Sequence, residues 1–69
     1  MKYLVIIEKT STGYSAYTPD LPGCIATGAT RKELQQNMRE VVQFHLEGLR
    51  IERQSIPPST THSSYITLG

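Results

Sequence analysis

The first apolar stretch of the chain is unbroken rather than alternating. Residues 3–7 read Tyr-Leu-Val-Ile-Ile, so both faces of a strand formed here carry β-favouring apolar side chains. Polar residues 10–13, which end in glycine, have the composition of a turn, and residues 14–18 then return to β-forming types. The pattern predicts an antiparallel hairpin whose first strand is hydrophobic on both sides.

Two prolines interrupt this pattern in residues 19–23, which we call the proline loop. Proline has no backbone N–H to give to a strand ladder, and the Pro22-Gly23 pair suits a tight turn, so a rigid loop is predicted. A third short strand is expected over residues 24–27. Gly28 then loosens the backbone before the next element.

A helix is predicted to begin at a capping box. The Thr30 hydroxyl can accept a hydrogen bond from the Glu33 backbone amide, and the Glu33 side chain can reach back to the Thr30 amide. Apolar residues then recur at spacings of three and four, which places them on one stripe facing the sheet. The stripe consists of Leu34, Met38, Val41, Val42, His45 and Leu49. The helix is expected to end near Arg53, ahead of the Pro57-Pro58 pair that cannot continue it.

Residues 65–68, Tyr-Ile-Thr-Leu, are predicted to form a last short strand after a polar linker. The chain of 69 residues has no internal repeat and holds one domain, residues 1–69. The predicted fold class is therefore α+β, in the order β-β-β-α-β, with one helix packed on a small antiparallel sheet.

One helix can cover only one face of a sheet, so some apolar side chains are predicted to lie outside the core. Leu4 and Ile6 point away from the other apolar residues of the first strand, and Phe44 and Ile51 fall on the flank of the helix. Exposed apolar patches mark association sites. A chain this short, with one cysteine and so no internal disulfide, also gains stability from self-association. We expect a homo-oligomer, a dimer or higher, with these four residues at its interface.

Composition narrows the classes of partner. The net charge is only +1, so no strong field attracts phosphate backbones, and nucleic-acid binding is not suggested. The longest apolar run, residues 3–7, is far shorter than the ~20 residues that span a membrane as a helix. One unpaired cysteine and the lack of an N-terminal leader favour a reducing compartment, and we expect the protein in the cytoplasm.

The residues that carry chemistry are too scattered to predict an enzyme. Asp20 is the only aspartate and sits in the proline loop, and the glutamates do not converge on one metal-binding point. Cys24 and His45 could form a nucleophile and base, but no third group orients the imidazole, and an unpaired cysteine is typical of a core. The histidines and the cysteine lack zinc-site spacing. We predict a non-enzymatic binding protein without cofactor, metal site or catalytic residue.

The loop sequence PDLPGC, the following TGAT and the helical FHL triplet resemble HicB-like antitoxins over nearly the whole chain. These motifs are residues 19–24, residues 27–30 and residues 44–46. The resemblance implies a partial ribonuclease-H-like fold, a bacterial source and a partner of the HicA type, a small toxin that cleaves messenger RNA. It also implies the short form of the family, because many members carry a C-terminal DNA-binding segment and this chain stops at Gly69. Direct DNA binding is therefore not expected.

Two functions remain open at this point. In the first, the protein is an antitoxin that neutralises a HicA-like toxin, and a preorganised surface receives the toxin. That surface would consist of Pro19, Asp20, Leu21, Pro22 and Gly23. In the second, the protein is a stand-alone oligomeric binding module whose partner is another protein or a small ligand. The loop also has a purely structural interpretation as a rigid connector, in which prolines reduce the entropy of the unfolded chain.

Overall fold

The computed structural model describes residues 1–69 and contains three strands and one helix. The strands are β1 (Ile6–Lys9), β2 (Tyr14–Tyr17) and β3 (Ile25–Gly28), and helix α1 spans Arg31–Ile51. The strands pair antiparallel in the order β1-β2-β3, so β1 and β3 are the two edges. The predicted α+β class, with one helix on a small antiparallel sheet, is confirmed. No helix of the structure has the length and apolar character needed to cross a bilayer.

The register places Ile7, Ala16 and Ala26 side by side across the three strands. The two alanines are buried and Ile7 packs against the core, so this row faces the helix. The helix lies over β2 and β3 and leaves β1 less covered. The ladder of β1 begins at Ile6, later than the apolar run predicts, because β2 ends at its partner Tyr17.

The core is small and lies between the sheet and the first half of the helix. Leu34 and Met38 are buried there, and the next apolar positions of the predicted stripe, Val41 and Val42, pack against its edge. The helix therefore presents the predicted face to the sheet. Six apolar residues form the buried cluster: Ala16, Leu21, Cys24, Ala26, Leu34 and Met38.

Both ends of α1 have identifiable caps. The Thr30 hydroxyl accepts a 3.1 Å hydrogen bond from the Glu33 backbone amide, which is one half of the predicted capping box. At the other end, the Gln54 amide donates to the Leu49 carbonyl at 2.8 Å. Arg53 has a φ of 57°, the left-handed conformation of a Schellman cap, and the helix ends just before it.

Gly28 lets the helix start directly above the end of β3. A Cβ atom at this position would lie 2.6 Å from the backbone nitrogen of Leu34, closer than real side chains approach. Position 28 therefore requires glycine because β3 and α1 approach each other closely here. The sequence predicted glycine at this position only for the flexibility of its backbone.

Residues 65–68 do not form the predicted fourth strand. No strand of the sheet pairs with them, and the side chains of Tyr65, Ile66 and Leu68 are 102%, 82% and 89% exposed. Residues with strand propensity form a strand only when a neighbour satisfies their backbone groups, and within one chain these residues have none. The predicted β-β-β-α-β order is corrected to β-β-β-α, followed by a segment without regular secondary structure.

Candidate partner-binding site

The proline loop consists of two consecutive turns. The Leu21 amide donates to the Thr18 carbonyl at 3.2 Å, and the Cys24 amide donates to the Leu21 carbonyl at 3.2 Å. The second turn has Pro22 and Gly23 at its centre, and Gly23 has a φ of 89°, which is the pattern of a type II turn. Main-chain hydrogen bonds therefore hold the loop in one conformation.

The side chains of the loop point in different directions. Leu21 is fully buried in the core, so it offers no surface to a partner and is removed from the predicted binding set. Pro19, Pro22 and Gly23 are exposed, and Asp20 is half-buried. The exposed part of the loop is thus a ridge formed by three residues and anchored from below by Leu21. We call Pro19, Pro22 and Gly23 the loop ridge.

Asp20 joins the loop to the part of the chain that follows the helix. Its carboxylate accepts hydrogen bonds from the backbone amides of Thr60 at 3.1 Å and Thr61 at 3.0 Å. It also accepts from the Thr60 hydroxyl at 3.3 Å and the Thr61 hydroxyl at 2.6 Å. We call these three residues the Asp20 clamp. Because the partners are 40 and 41 positions apart in sequence, the clamp fixes the path of the chain beyond α1.

The clamp holds the pKa of the Asp20 carboxyl below its ordinary value. The Thr61 hydroxyl is the largest cause, followed by the Thr61 amide, and the two Thr60 donors act in the same direction against an opposing desolvation effect. The carboxylate is therefore ionised at neutral pH and is engaged within the chain. Asp20 therefore links the proline loop to the chain beyond α1 and keeps a charged carboxylate at the loop.

A second contact holds the same part of the chain beside the first strand. The Tyr3 hydroxyl donates a 2.6 Å hydrogen bond to the Pro57 carbonyl. The chain beyond α1 thus meets the residues before β1 at Pro57 and reaches the proline loop at Thr60. Sequence reasoning missed both contacts, because their partners lie far apart along the chain and no local pattern joins them.

An apolar row crosses the sheet on the face that the helix leaves open. Ile6 pairs with Tyr17, and Tyr17 pairs with Ile25. The Tyr17 and Ile25 side chains are 43% and 63% exposed. Ile6 is half-buried, as is Leu4, which lies two residues earlier on the same side. We call Leu4, Ile6, Tyr17 and Ile25 the open face. Sequence reasoning missed Tyr17 and Ile25, because only the register shows that they align with Ile6.

Phe44 and Ile51 lie on the helix and are 83% and 72% exposed, outside the core as the helical pattern predicts. Phe44 also lines a hollow of about 370 Å³ between the proline loop and the second half of α1. Gly23 lies on the loop side of this hollow, and His45 lies on the helix side. The exposed aromatic ring is therefore next to the loop ridge.

A second hollow, which we call the β1–α1 groove, lies beside the edge of the sheet. Its volume is about 500 Å³. It exists because α1 packs over β2 and β3 and leaves the helix-facing side of β1 open. Most of its lining is apolar, with Val5, Ile7 and Ala16 on the sheet side and Leu34, Met38 and Val42 on the helix side.

The reactive side chains are not arranged as a catalytic site. Cys24 is buried in the core, as predicted, and burial raises the pKa of its thiol, which disfavours the nucleophilic thiolate. His45 is half-buried at the hollow beside it. No group of three or more His, Cys, Asp or Glu side chains lies close enough together to hold a metal ion.

The class that the structure defines is a small α+β domain, with one helix on a three-stranded antiparallel sheet and a rigid exposed loop. The particular family is shown by the sequence, which matches the HicB-like antitoxins of bacterial toxin–antitoxin systems over residues 3–67. This chain belongs to that family, and it is a regulatory protein rather than an enzyme.

A solved structure has the same fold. A chain of the HicA3 and HicB3 toxin–antitoxin complex is similar to this chain with a TM-score of 0.72 and 33% sequence identity. The similarity covers 86% of this chain and 70% of that chain. The three antiparallel strands and single helix are therefore the fold of a structurally characterised toxin–antitoxin component.

Relatives with similar sequences come from a phage, an archaeon and a cyanobacterium. An uncharacterised 14.9 kDa protein of Haemophilus phage HP1 is 38% identical over 96% of this chain, which spans 50% of the phage protein. A UPF0150 protein of Thermoplasma acidophilum is 41% identical, covering 83% of this chain and 84% of that protein. A UPF0150 protein of Synechocystis is 39% identical, covering 80% of this chain and 71% of that protein. The chain thus spans half of one relative and most of the other two.

Proposed function

We propose that this chain is an antitoxin that binds and neutralises a HicA-like toxin that cleaves messenger RNA. The observation that carries the proposal is its likeness to a chain solved within a toxin–antitoxin complex. Neutralisation by binding requires a preformed surface and no chemistry of its own. The rigid loop ridge fits that requirement.

The proposed toxin-binding surface combines the loop ridge with Phe44. The two turns and the buried Leu21 fix the ridge before binding, so little conformational entropy is lost when a partner docks. Phe44, which the sequence assigned to self-association, lies across the hollow from Gly23, and we include it in this surface instead. An exposed aromatic side chain beside a rigid loop is typical of a binding hot spot.

Neutralisation follows from covering the toxin. A toxin that acts on messenger RNA must admit the RNA to its active surface, and a bound antitoxin of this size excludes the RNA from that surface. The inhibition should therefore depend on stoichiometric binding rather than on turnover. We place this action in the cytoplasm of a bacterial cell, where messenger RNA is translated.

The test uses the neighbouring reading frame, which should encode a small basic protein with a glycine-rich stretch and a histidine. We expect that protein to co-purify with this chain. Pro22→Lys should weaken the complex about tenfold or more, because lysine replaces a rigid apolar contact and repels a basic partner. Ser11→Lys adds the same charge to the exposed turn between β1 and β2, far from the loop ridge, and should leave the affinity unchanged.

The two possible failures of this test are distinguishable. If neither lysine variant changes the affinity, the toxin binds elsewhere on the chain and the proposed surface is wrong. If the unmodified chain does not bind the neighbouring protein, or no such neighbour exists, the antitoxin proposal fails.

We also propose that the protein self-associates as a dimer or a larger oligomer. The open face leaves Tyr17 and Ile25 exposed beside Leu4 and Ile6, and Ile51 is exposed on the helix. Contiguous exposed apolar patches mark association sites. If association stabilises the folded state, the melting temperature falls on hundredfold dilution by mass action. A 7.7 kDa particle with a concentration-independent melting temperature would contradict the proposal.

The second candidate function is a stand-alone oligomeric binding module whose partner is another protein or a small ligand. The observation that favours it is the β1–α1 groove, an apolar hollow of about 500 Å³, which is within the size range of small-molecule sites. A chain that self-associates normally and has no toxin encoded beside it would favour this function over the first.

A further inference from the structure

We propose that the β1–α1 groove binds a small anionic amphiphile, a molecule with one unbranched apolar chain and one anionic headgroup. The proposal rests on the second candidate function and names its class of ligand. The groove and the hollow beside the loop ridge have no lining residue in common. Ligand binding in the groove and toxin binding at the loop ridge can therefore be measured separately.

The walls of the groove are apolar and elongated. Leu34, Met38 and Val42 line it at intervals of four residues, so they form a row that runs along α1 for about 12 Å. The facing wall contains Val5 and Ile7, which point to the same side because they are two positions apart. An extended apolar chain can contact both walls along the length of this row.

Three polar side chains border these walls. Gln35 and Arg39 each follow a residue of the apolar row, Leu34 or Met38, so they form a second row beside it along the helix. Lys2 lines the groove from the segment that leads into β1. Lys2 and Arg39 are exposed, so their charged ends lie at the mouth of the groove. The groove thus has an apolar interior and a polar border.

The charge at this border has one sign. Lys2 and Arg39 are the charged side chains in the lining, and no aspartate or glutamate lies there. The single salt bridge of the structure joins Glu47 and Arg50, so neither cation of the groove is paired with a carboxylate. Two unpaired cations beside an apolar interior attract an anion whose remaining surface is apolar.

Size and charge together select the class of ligand. The volume of about 500 Å³ lies within the range of small-molecule sites. The Arg39 guanidinium can bind a carboxylate or a phosphate through two parallel hydrogen bonds. The Tyr3 hydroxyl donates to the Pro57 carbonyl, so its proton is already engaged and the headgroup is left to the cations. A basic toxin would be repelled by Lys2 and Arg39, which separates this site from the proposed toxin-binding surface.

An NMR titration of the full chain with decanoate, below its micelle-forming concentration, tests where the ligand binds. We expect saturable shifts of the Val5, Ile7 and Val42 methyl signals. The exposed methyl groups of Ile25 and Ile51 lie outside the groove and should not shift, which controls for unspecific binding to apolar surface. Octanoate should bind about 15-fold more weakly, because each buried CH₂ contributes about fourfold in affinity.

Two double variants test the role of the cations at physiological ionic strength. Lys2→Gln with Arg39→Gln should weaken decanoate binding about tenfold, because both charges at the mouth are lost. Arg31→Gln with Lys32→Gln removes the same two kinds of charge outside the groove and should leave the affinity unchanged. All four substituted residues are exposed, so circular dichroism should show an unchanged helix in both variants.

Ligands with the same chain and other headgroups complete the test. Decanol and decyltrimethylammonium should bind more weakly than decanoate, and the tighter of decanoate and decyl phosphate identifies the source of the anion. Equal binding of anionic, neutral and cationic ligands, or equal losses in the two double variants, would overturn the proposed ligand class while leaving a small-molecule site.

A groove that binds none of these ligands would overturn both the proposal and the small-ligand form of the second candidate function. Contacts of Ile66 or Leu68 with the groove methyl groups in the ligand-free chain would also overturn the proposal, because the chain itself would then fill the site. Toxin binding is measured separately, and its success or failure does not depend on these results.

Discussion

Two glycines illustrate how a single residue is constrained by its surroundings. Gly28→Ala should lower the free energy of unfolding by about 1–3 kcal/mol, because its Cβ would lie 2.6 Å from the Leu34 backbone nitrogen. Gly48 lies within α1, and a Cβ there would have no atom within 4 Å, so Gly48→Ala should raise stability by about 0.5–1 kcal/mol. Urea denaturation measures both, and changes of the same sign would contradict the close approach of β3 and α1.

The hydroxyl of Thr18 is buried and has no hydrogen-bond partner. Thr18→Val replaces it with a methyl group of similar shape, and we expect the free energy of unfolding to rise by about 1–2 kcal/mol because an unsatisfied polar group leaves the core. Thr61→Val is the matched control, since its hydroxyl bonds the Asp20 carboxylate and its loss should lower stability. Thermal melts compare the two. A destabilising Thr18→Val would show that the hydroxyl is satisfied in solution.

The secondary-structure elements were predictable where their signals are local. The capping hydroxyl of Thr30, the apolar stripe of α1 and the polar turn between β1 and β2 all act within a few residues, and each element formed close to its predicted position. The prediction of a fourth strand was wrong because strand formation also depends on contacts that are distant in sequence. Its residues have strand propensity, but a strand also needs a neighbour, and neighbours are set by the tertiary path of the chain.

The candidate site was predictable only in part for the same reason. Two prolines and a glycine indicated a rigid exposed loop, and Pro22 and Gly23 are exposed. The inward direction of Leu21 depends on the two turns around it, and the alignment of Tyr17 and Ile25 with Ile6 depends on register. No pattern within the sequence specifies either feature.

The Asp20 clamp is expected to hold the proline loop and the chain beyond α1 together. Asp20→Asn removes the charge and weakens the acceptors for the Thr60 and Thr61 donors. We expect faster hydrogen exchange at the Thr60 and Thr61 amides of the variant at pH 7, with protection of α1 unchanged. Unchanged exchange at both amides would show that the clamp does not persist in solution.

Acid should release the same clamp. The folded-state pKa of Asp20 lies below its ordinary value of 3.8. The stabilisation from the clamp is therefore complete above that ordinary pKa and is lost as the pH falls through the lower folded-state pKa. NMR chemical shifts of the Thr60 and Thr61 amides should therefore titrate below pH ~4 in the unmodified chain. Asp20→Asn is the control and should show no such titration. A transition at or above the ordinary value would contradict the assigned direction of the shift.

The molecule as a whole is extended for its length. Its radius of gyration is 13.7 Å, compared with about 11 Å for a compact domain of the same size, and its principal extents are 48 × 28 × 17 Å. Only 7 of 69 residues are buried, so the core alone supplies limited stability. The open face, the β1–α1 groove and residues 65–68 all remain uncovered in a single chain. These are the surfaces that the proposed partners would cover.

The most direct test of the antitoxin proposal is a titration of messenger-RNA cleavage. The protein encoded by the neighbouring reading frame is incubated with RNA while this chain is added in increasing amounts. We predict that cleavage falls in proportion to the antitoxin added and stops near stoichiometric amounts, and that Pro22→Lys requires more protein than Ser11→Lys for the same inhibition. Cleavage that continues undiminished in the presence of an excess of the unmodified chain would contradict the proposal.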